Sequence, residues 1–501
     1  MTKFLRSSPA AIFLLIAGYF VLNLLVRLAM PDALERDEAQ QILLSQWLAA
    51  GYDTQPPFYN WIQYAVVKVT GPSVFAVSVL KNAVLFLAYL AYGLAARTVL
   101  KDRDLAIIAT LGLLTIPQIA FEAQRDLSHT VAIVFAASLF LYGFFRTLQT
   151  PSSFSYLLTG VAVGVGLISK YNFAILPAAA LLATLPDREW RARLLDPRLA
   201  FTVAAALLIV LPHGLWLAGN LGLATERTMD KLAGETLSLP AQIATGFGSL
   251  AMAILGFSAV TVAVFAAVFR GTLFHALRQG NRWTALVERI LVVFLIVLAL
   301  LIVFAGASHI KDRWLTPLLL ILPLYLCMKL EAAGVSGQKF LGRYLPVPLL
   351  IMLLVPAVLF GRVALAGRTG DYQKQNVPYD AFAAAIMKEA PAEPGAVIAE
   401  DPHLAGNLRL QFPGAPVVSP AYPSFDPQIA WNETSQVLVV WRMEGKSGAE
   451  IPAPLLKFAS RSGRQIAPES LQTREMSLPY TYGTPEDSYV FGYAWLYPVK
   501  Q

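Results

Sequence analysis

Long apolar blocks bounded by charged residues constrain this chain more than any other feature. A helix that crosses the hydrocarbon layer of a membrane needs about 20 consecutive apolar residues. Such blocks occur near residues 10–29, 72–96, 104–121, 129–145, 155–185, 199–219, 247–269, 290–306, 314–329 and 345–366. They predict a polytopic α-helical membrane protein and exclude a soluble enzyme, a disordered chain and a fibrous protein.

Composition agrees with this interpretation. Of 501 residues, 56% are hydrophobic and 14% are charged, whereas soluble proteins carry about 25% charged residues. The single cysteine, Cys327, excludes an intrachain disulfide and a metal site built from cysteines. The net charge of +7 resembles an anion-binding signal, but the Lys and Arg residues that accumulate in cytoplasmic loops are enough to explain it. No basic run is interleaved with aromatic residues, so no nucleic-acid partner is expected.

The arrangement of basic residues predicts the topology. The block at 155–185 is interrupted by Ser169-Lys170-Tyr171-Asn172, so it forms either one tilted span or two short ones. Two short spans give eleven in total and place the four-arginine loop, residues 186–198, on the same side as the other basic loops. By the positive-inside rule that side is cytoplasmic. The amino end is then inside, on a retained first span, and the carboxyl end is outside.

The composition changes after residue 366. Residues 367–501 contain no spanning block, many prolines, strand-like pieces at 396–399 and 436–441, and a helical pattern at 380–389. We therefore expect a membrane module at 1–366 and a small soluble α/β domain at 367–501. On the predicted topology this domain lies outside the cytoplasmic membrane.

The first predicted outer loop, residues 31–71, is rich in polar and aromatic residues. Asp37 and Glu38 directly follow the first span. Leu43, Leu44, Trp47 and Leu48 then occur at helical spacing, and a second aromatic segment contains Trp61 and Tyr64. The pattern predicts two amphipathic helices in the membrane interface. For the acidic pair alone, the simpler interpretation is a favourable interaction with the positive end of a helix.

Further ionisable residues lie on the same predicted side. They occur at Arg125-Asp126, at Lys170 and at His309–Arg313, each within about a turn of an apolar block. An ionisable group at such a position is costly and is by default a functional hypothesis. A carboxylate can deprotonate an acceptor hydroxyl, and cations can stabilise a departing phosphate. This is the minimum equipment for glycosyl transfer from a lipid phosphate.

Other features carry less information. Lys81, inside the second span, is as compatible with extension toward the interface as with a phosphate contact, and His213 is best explained as a packed histidine. No spacing of His, Asp and Glu suggests a metal site, and no glycine-rich phosphate loop occurs. No cofactor is therefore expected, the need for a divalent cation stays open, and a soluble nucleotide-sugar donor is not favoured.

Five short motifs follow one another on the predicted outer side. They are Asp37-Glu38, Gln55-Pro-Pro-Phe-Tyr59, Arg125-Asp126, Gly166-Leu-Ile-Ser-Lys170 and His309-x-Lys-x-Arg313-Trp-Leu-Thr-Pro317. In this order they resemble the glycosyltransferase family 39 proteins, which have the GT-C fold. The family includes protein O-mannosyltransferases and the aminoarabinose transferase of lipid A. The resemblance covers roughly residues 1–330. Within the family, the sequence as a whole is most similar in character to the rhizobial lipopolysaccharide galacturonosyltransferases.

The resemblance implies a GT-C fold and an inverting transfer from a polyprenyl-phosphate sugar. It implies that Asp37 is the catalytic base and that Glu38 supports it, with Lys170, Lys311 and Arg313 near the donor phosphate. The remaining candidates for donor or substrate binding are Arg125, Asp126, His309, Gln55, Tyr59 and Lys81. The family usually has His or Lys before the two prolines, whereas this chain has Gln55. The missing cation bears on how the donor phosphate or sugar is bound. Ala39-Gln40-Gln41 also departs from the aminoarabinose transferase pattern.

We therefore expect a glycosyltransferase of a bacterial inner membrane that acts at the periplasmic face. The favoured acceptor is lipid A or the lipopolysaccharide core, ahead of a protein or another glycan, and membrane lipids are further partners. The alternative is a multi-spanning transporter or lipid flippase, in which the charged residues line a path. Absence of a repeat and the large predicted external domain favour the transferase. The sequence leaves the sugar, the acceptor and the oligomeric state open.

Overall fold

The computed structural model of the protein describes residues 1–52, 55–222, 238–390, 393–425, 427, 436–443, 450–461 and 466–497. The chain forms two compact units. The first contains residues 1–21, 50–59 and 81–355, and the second contains residues 22–49, 60–80 and 356–501. The predicted domain boundary at residue 366 stays a prediction. The second unit combines the carboxyl-terminal residues with two segments of the first predicted outer loop.

The polytopic helical fold class is confirmed. Within the described ranges, seven helices are long and apolar enough to cross a membrane: Ala11–Leu28, Val74–Val99, Ser128–Gln149, Leu199–Gly219, Leu239–Phe269, Arg282–Phe304 and Leu341–Ala364. A bent pair, Arg103–Thr115 and Gln118–Arg125, would make an eighth. Two shorter apolar helices, Ser153–Leu167 and Tyr171–Thr184, flank the polar interruption that the two-span interpretation requires. The number of spans, eleven, stays a prediction.

Prolines explain where the predicted spans are broken. The bent pair changes direction by 69° at Ile116-Pro117, because proline disfavours helical geometry in the residue before it. Ile116 accordingly has extended backbone angles. The block at 314–329 is not one continuous helix either: it contains Thr316–Leu319 and Leu322–Ala332. Pro317 and Pro323 each lie in the first turn of one of these helices, a position that proline favours.

The remaining α-helices of the described ranges are short. They are Thr2–Ser7, Arg36–Leu44, Phe58–Thr70, Arg188–Leu194, Gly271–Leu277, Ala366–Thr369, Tyr379–Glu389, Pro402–Gln411 and Ala453–Ala459. The helical pattern predicted through Trp47 and Leu48 is wrong at its end, because the helix stops at Leu44. Trp47 instead lies 4.9 Å from Phe425, ring centre to ring centre, and packs against the core of the sheet described next.

A five-stranded sheet forms the centre of the carboxyl-terminal part. Its strands are β1 (Ala396–Ala399), β2 (Val417–Val418), β3 (Val437–Arg442), β4 (Arg474–Pro479) and β5 (Ser488–Leu496). Their order is β2-β1-β3-β5-β4. β1 is parallel to β2 and β3, while β5 is antiparallel to β3 and β4. β1 and β3 correspond to the two predicted strand-like pieces, and the sheet confirms the small α/β fold expected there.

Trp441 on β3 is the largest fully buried side chain of the protein's described residues. It packs with apolar side chains of β1 and β5 and of the helix Ala453–Ala459. Gly492 is its register partner on β5, and a Cβ atom there would overlap the indole ring. The indole therefore takes the space that any side chain at position 492 would need.

Replacing Trp441 by alanine should destabilise the sheet by about 3–5 kcal/mol, because it removes a large buried ring and leaves a cavity. Thermal unfolding of the detergent-purified protein, with proteolysis of the carboxyl-terminal part as the readout, measures the effect. Leu471→Ala is the control, since that side chain is 43% exposed. Equal stability of the two variants would contradict this account of the core.

Candidate active site

The predicted acidic pair lies in the first turn of the helix Arg36–Leu44, which we call the acidic helix. Glu35 is its N-cap, and Glu35 and Glu38 form a reciprocal capping box. The Glu38 carboxylate accepts a hydrogen bond of 3.2 Å from the backbone N–H of Glu35. Asp37 is half-buried, whereas Glu38 is buried. Successive helical residues point about 100° apart, so the two carboxylates face different surroundings.

Glu38 is also bound by an arginine that the sequence analysis did not single out. Arg27 Nη2 lies 3.4 Å from the Glu38 carboxylate and donates to the carbonyl of Ala33 at 2.7 Å. Its Nη1 donates to the carbonyl of Pro31 at 3.3 Å. These bonds fix the segment that leads into the acidic helix. Glu38 thus has a clear structural task, and Asp37 is the more exposed member of the pair.

Lys81, in the first unit, is buried, with 2% of its surface exposed. Its ammonium group donates to the carbonyl of Gln124 at 3.3 Å, and the amide of Gln124 donates to Asn82 at 3.2 Å. Lys81 is therefore held beside the segment that contains Arg125 and Asp126.

The segment around Arg125 has unusual backbone geometry. A π-helix at Gln118–Glu122 precedes it, and Leu127 has left-handed angles with φ of 60°. π-helical turns and left-handed non-glycine residues occur preferentially at functional sites, where the surrounding structure holds the strain. Arg125 pairs with Glu122 at 2.6 Å. This geometry supports a functional role for the Arg125-Asp126 segment.

Tyr59 and Lys170 contact two adjacent residues at the start of one helix, His129 and Thr130, and the sequence analysis missed His129. The ring centre of Tyr59 lies 6.3 Å from that of His129. Lys170 Nζ donates to Thr130 Oγ1 at 3.4 Å. The N–H of Phe58 donates to the carbonyl of Ile168 at 2.9 Å. The position of His129 inside an apolar block is the signal that could have identified it.

The segment 308–316 joins this first-unit group through two bonds. Gln118 donates to the Asp312 carboxylate at 2.6 Å, and Asn172 donates to the carbonyl of Trp314 at 2.8 Å. Lys311 and Arg313 are exposed, as is His309, whose Nδ1 lies 3.0 Å from Ser308 Oγ. Gln55 is half-buried.

The structure therefore links predicted candidates from distant parts of the first unit: Lys81 to the 122–126 segment, Tyr59 to 168–170, and the 308–316 segment to both 118 and 172. Asp37 and Glu38 belong to the second unit. Among the residues that the structure describes, no group of three or more His, Cys, Asp or Glu is arranged to hold a metal ion.

Residues 54–216 match a family model described as dolichyl-phosphate-mannose-protein mannosyltransferase. Over 99% of this chain and of the relative, the sequence is 51% identical to the lipopolysaccharide core galacturonosyltransferase RgtB of Rhizobium johnstonii. It is 47% identical to RgtA of the same organism, over 97% of both chains. The chain belongs to the family 39 GT-C glycosyltransferases. It is an enzyme that transfers a glycosyl group, which excludes the transporter alternative.

The fold of this glycosyltransferase agrees with its family. It is similar to the crystal structure of ArnT from Cupriavidus metallidurans bound to undecaprenyl phosphate, with a TM-score of 0.63 and 14% identity. The similarity covers 97% of this chain and 98% of ArnT, so it includes the carboxyl-terminal part that the motifs did not reach. The family match at 54–216 contains the predicted candidates from Gln55 to Lys170.

Replacing Glu38 by alanine should destabilise the glycosyltransferase by about 1–3 kcal/mol, because the Glu35 N–H loses its acceptor and Arg27 loses its carboxylate. Glu38→Gln keeps an oxygen acceptor for the Glu35 N–H and should lose less stability than Glu38→Ala. Thermal unfolding of the purified variants measures the difference. If both variants were as stable as the wild type, the structural task assigned to Glu38 would be wrong.

Proposed function

We propose that this glycosyltransferase moves a galacturonosyl residue from a polyprenyl-phosphate donor to the core of lipopolysaccharide. The observation that carries the proposal is the 51% identity, over nearly the whole of both chains, to a lipopolysaccharide core galacturonosyltransferase. The fold similarity to ArnT bound to undecaprenyl phosphate supports a lipid-phosphate carrier for the sugar. Lipid A is the second candidate acceptor.

In this proposal Asp37 is the general base. Its carboxylate takes the proton of the acceptor hydroxyl while that oxygen forms a bond to the anomeric carbon of the donor sugar. The bond between the anomeric carbon and the phosphate oxygen breaks, and its electron pair leaves with the polyprenyl phosphate. Attack opposite to the leaving group inverts the anomeric configuration. The half-buried position of Asp37 in the first helical turn supports this role.

Lys81, Arg125 and Lys170 are proposed to hold the donor phosphate. Cations aimed at the leaving phosphate stabilise the charge that develops there as the glycosidic bond breaks. The support is structural, because Lys81 donates to the carbonyl of Gln124, the residue before Arg125, and Lys170 donates to Thr130 on the helix that follows this segment. Asp126, His309, Lys311, Arg313, Gln55 and Tyr59 complete the proposed set of donor and substrate contacts.

We also propose that the enzyme lies in a bacterial inner membrane with its amino end in the cytoplasm. The active site and the carboxyl-terminal domain, residues 367–501, then face the periplasm. The distribution of basic residues between alternate loops supports this orientation. A lipid-linked donor suits that face, because the carrier stays in the membrane while its sugar is presented to the acceptor.

Asp37→Asn should lower kcat about 10²- to 10⁴-fold, the contribution typical of a general base. In cells, mass spectrometry of the lipopolysaccharide core from a strain lacking the gene should show the loss of a hexuronic acid. Wild type should restore that mass and Asp37→Asn should not. Asp32→Asn, an exposed aspartate five residues earlier, is the control and should restore it fully. Full activity of Asp37→Asn would show that Asp37 is not the base. An unchanged lipopolysaccharide core in the strain lacking the gene would show that the core is not the acceptor.

Lys81→Met should raise KM for the polyprenyl-phosphate donor about ten- to hundredfold, because a charge-assisted hydrogen bond contributes about 1.5–3 kcal/mol. Steady-state kinetics with purified enzyme measure the change. Lys68→Met is the matched control, since Lys68 is exposed and lies 5.3 Å from the ring of Tyr64. An unchanged donor KM in a folded Lys81→Met variant would rule out a phosphate contact.

A further inference from the structure

Leu34, just before the acidic helix, is completely buried, with 0% of its surface exposed. The N–H of Leu34 donates to Asn407 Oδ1 at 2.7 Å, and its carbonyl accepts from His403 Nε2 at 2.8 Å. Both partners are side chains, although buried backbone groups usually pair with other backbone groups. The start of the acidic helix is therefore held by two specific residues that lie 369 and 373 positions further along the chain.

Both residues belong to the helix Pro402–Gln411, which we call the docking helix. His403, Gly406 and Asn407 lie at positions i, i+3 and i+4 and so share one face. A Cβ atom on Gly406 would overlap the carbonyl oxygen of Ala39, so the two helices pack backbone against backbone at this point. The face formed by His403, Gly406 and Asn407 fits the acidic helix and leaves no space for a larger residue at 406.

The ring of His403 is itself held in one orientation. Arg442 Nη2 donates to His403 Nδ1 at 2.7 Å, and its Nε lies 2.8 Å from the Asp401 carboxylate. Asp401 also caps the docking helix by accepting from the N–H groups of His403 and Leu404. Because an arginine can only donate and a carbonyl can only accept, the proton of His403 is on Nε2.

Burial, and next the adjacent Arg442 guanidinium, lower the pKa of His403 to about 4. The ring is therefore neutral at neutral pH and keeps an acceptor for Arg442 and a donor for Leu34. Asn407 is fixed in the same way, because its amide donates to the carbonyl of His403 at 2.9 Å. Neither side chain can turn away from Leu34 without leaving a buried group unpaired.

The direction of Asp37 depends on where the acidic helix begins, since each helical residue advances about 100° around the axis. A displacement of about 1 Å at a reacting group can cost 10²-fold in rate. We propose that His403 and Asn407 are positioning residues, which fix Leu34 and thereby hold the Asp37 carboxylate where it meets the acceptor hydroxyl. This inference rests on the proposed role of Asp37 as the base.

Asn407→Leu tests the inference, because leucine has a similar shape but cannot accept from the Leu34 N–H. We expect kcat to fall at least tenfold while KM for the donor stays within twofold. In an Asp37→Asn background, the same change should cause no further loss, because a residue that acts through Asp37 has nothing left to position. The rates are divided by the folded fraction, measured by size-exclusion chromatography.

Asn376→Leu is the matched control. Asn376 is an equally buried asparagine of the same unit, and its amide donates to the carbonyls of Val363 and Thr481. Among the described residues, its side chain bonds to Gln373, Val363 and Thr481 and not to the acidic helix. We expect Asn376→Leu to lower the melting temperature as Asn407→Leu does, but to leave kcat per folded molecule within twofold of wild type.

A second pair of variants decides the question if Asn407→Leu does not fold. The amide nitrogen of glutamine can replace His403 Nε2, whereas the shorter asparagine reaches only the Nδ1 position. His403→Gln should keep kcat within about threefold, and His403→Asn should lose at least tenfold.

The inference is overturned if Asn407→Leu or His403→Asn keeps wild-type kcat, or if either lowers the residual rate of Asp37→Asn by the same factor as in wild type. Full activity of Asp37→Asn would instead refute the proposed function, so the two failures are distinguishable.

Discussion

Polar groups that are buried beside apolar helices must find partners, and this requirement shapes both units of the glycosyltransferase. An unpaired buried donor or charge costs free energy that the protein cannot recover elsewhere in an apolar surrounding. The buried Lys81 donates to the carbonyl of Gln124, the half-buried Lys170 donates to Thr130, and the half-buried Asp312 accepts from Gln118. Each pairing that satisfies a polar group also brings a distant segment to the same place. The polar side chains therefore organise the site as well as serve it.

The same requirement distinguishes two adjacent carboxylates in the second unit. Glu38 is tied to the N–H of Glu35 and to Arg27, while Asp37, one residue earlier, is half-buried on another side of the helix. A helix begins where its first N–H groups find acceptors. The bonds at Leu34 and Glu35 thus decide which way Asp37 points, and most of those partners are far away in the chain.

Several elements were accessible from the sequence because their signal is local. The apolar blocks, the interruption at Ser169–Asn172, the strands at β1 and β3 and the helix at Tyr379–Glu389 all follow from periodicity and composition. The motifs from Asp37-Glu38 to His309–Pro317 identified the family that the relatives confirm. The helix end at Leu44 and the broken helices after Trp314 were missed. Trp47 leaves the helix to join the core of the sheet, and this contact has no signature near residue 47.

The sequence by itself determined that this chain is a polytopic GT-C glycosyltransferase with a small α/β domain, because hydrophobicity and short motifs act over a few residues. Only the tertiary structure decided that Tyr59 contacts His129 while Lys170 binds the adjacent Thr130, that Arg27 holds Glu38, and that His403 and Asn407 bind Leu34. Such pairs join residues that can be hundreds of positions apart, and a buried peptide group leaves no mark in the sequence to say which distant side chain will satisfy it.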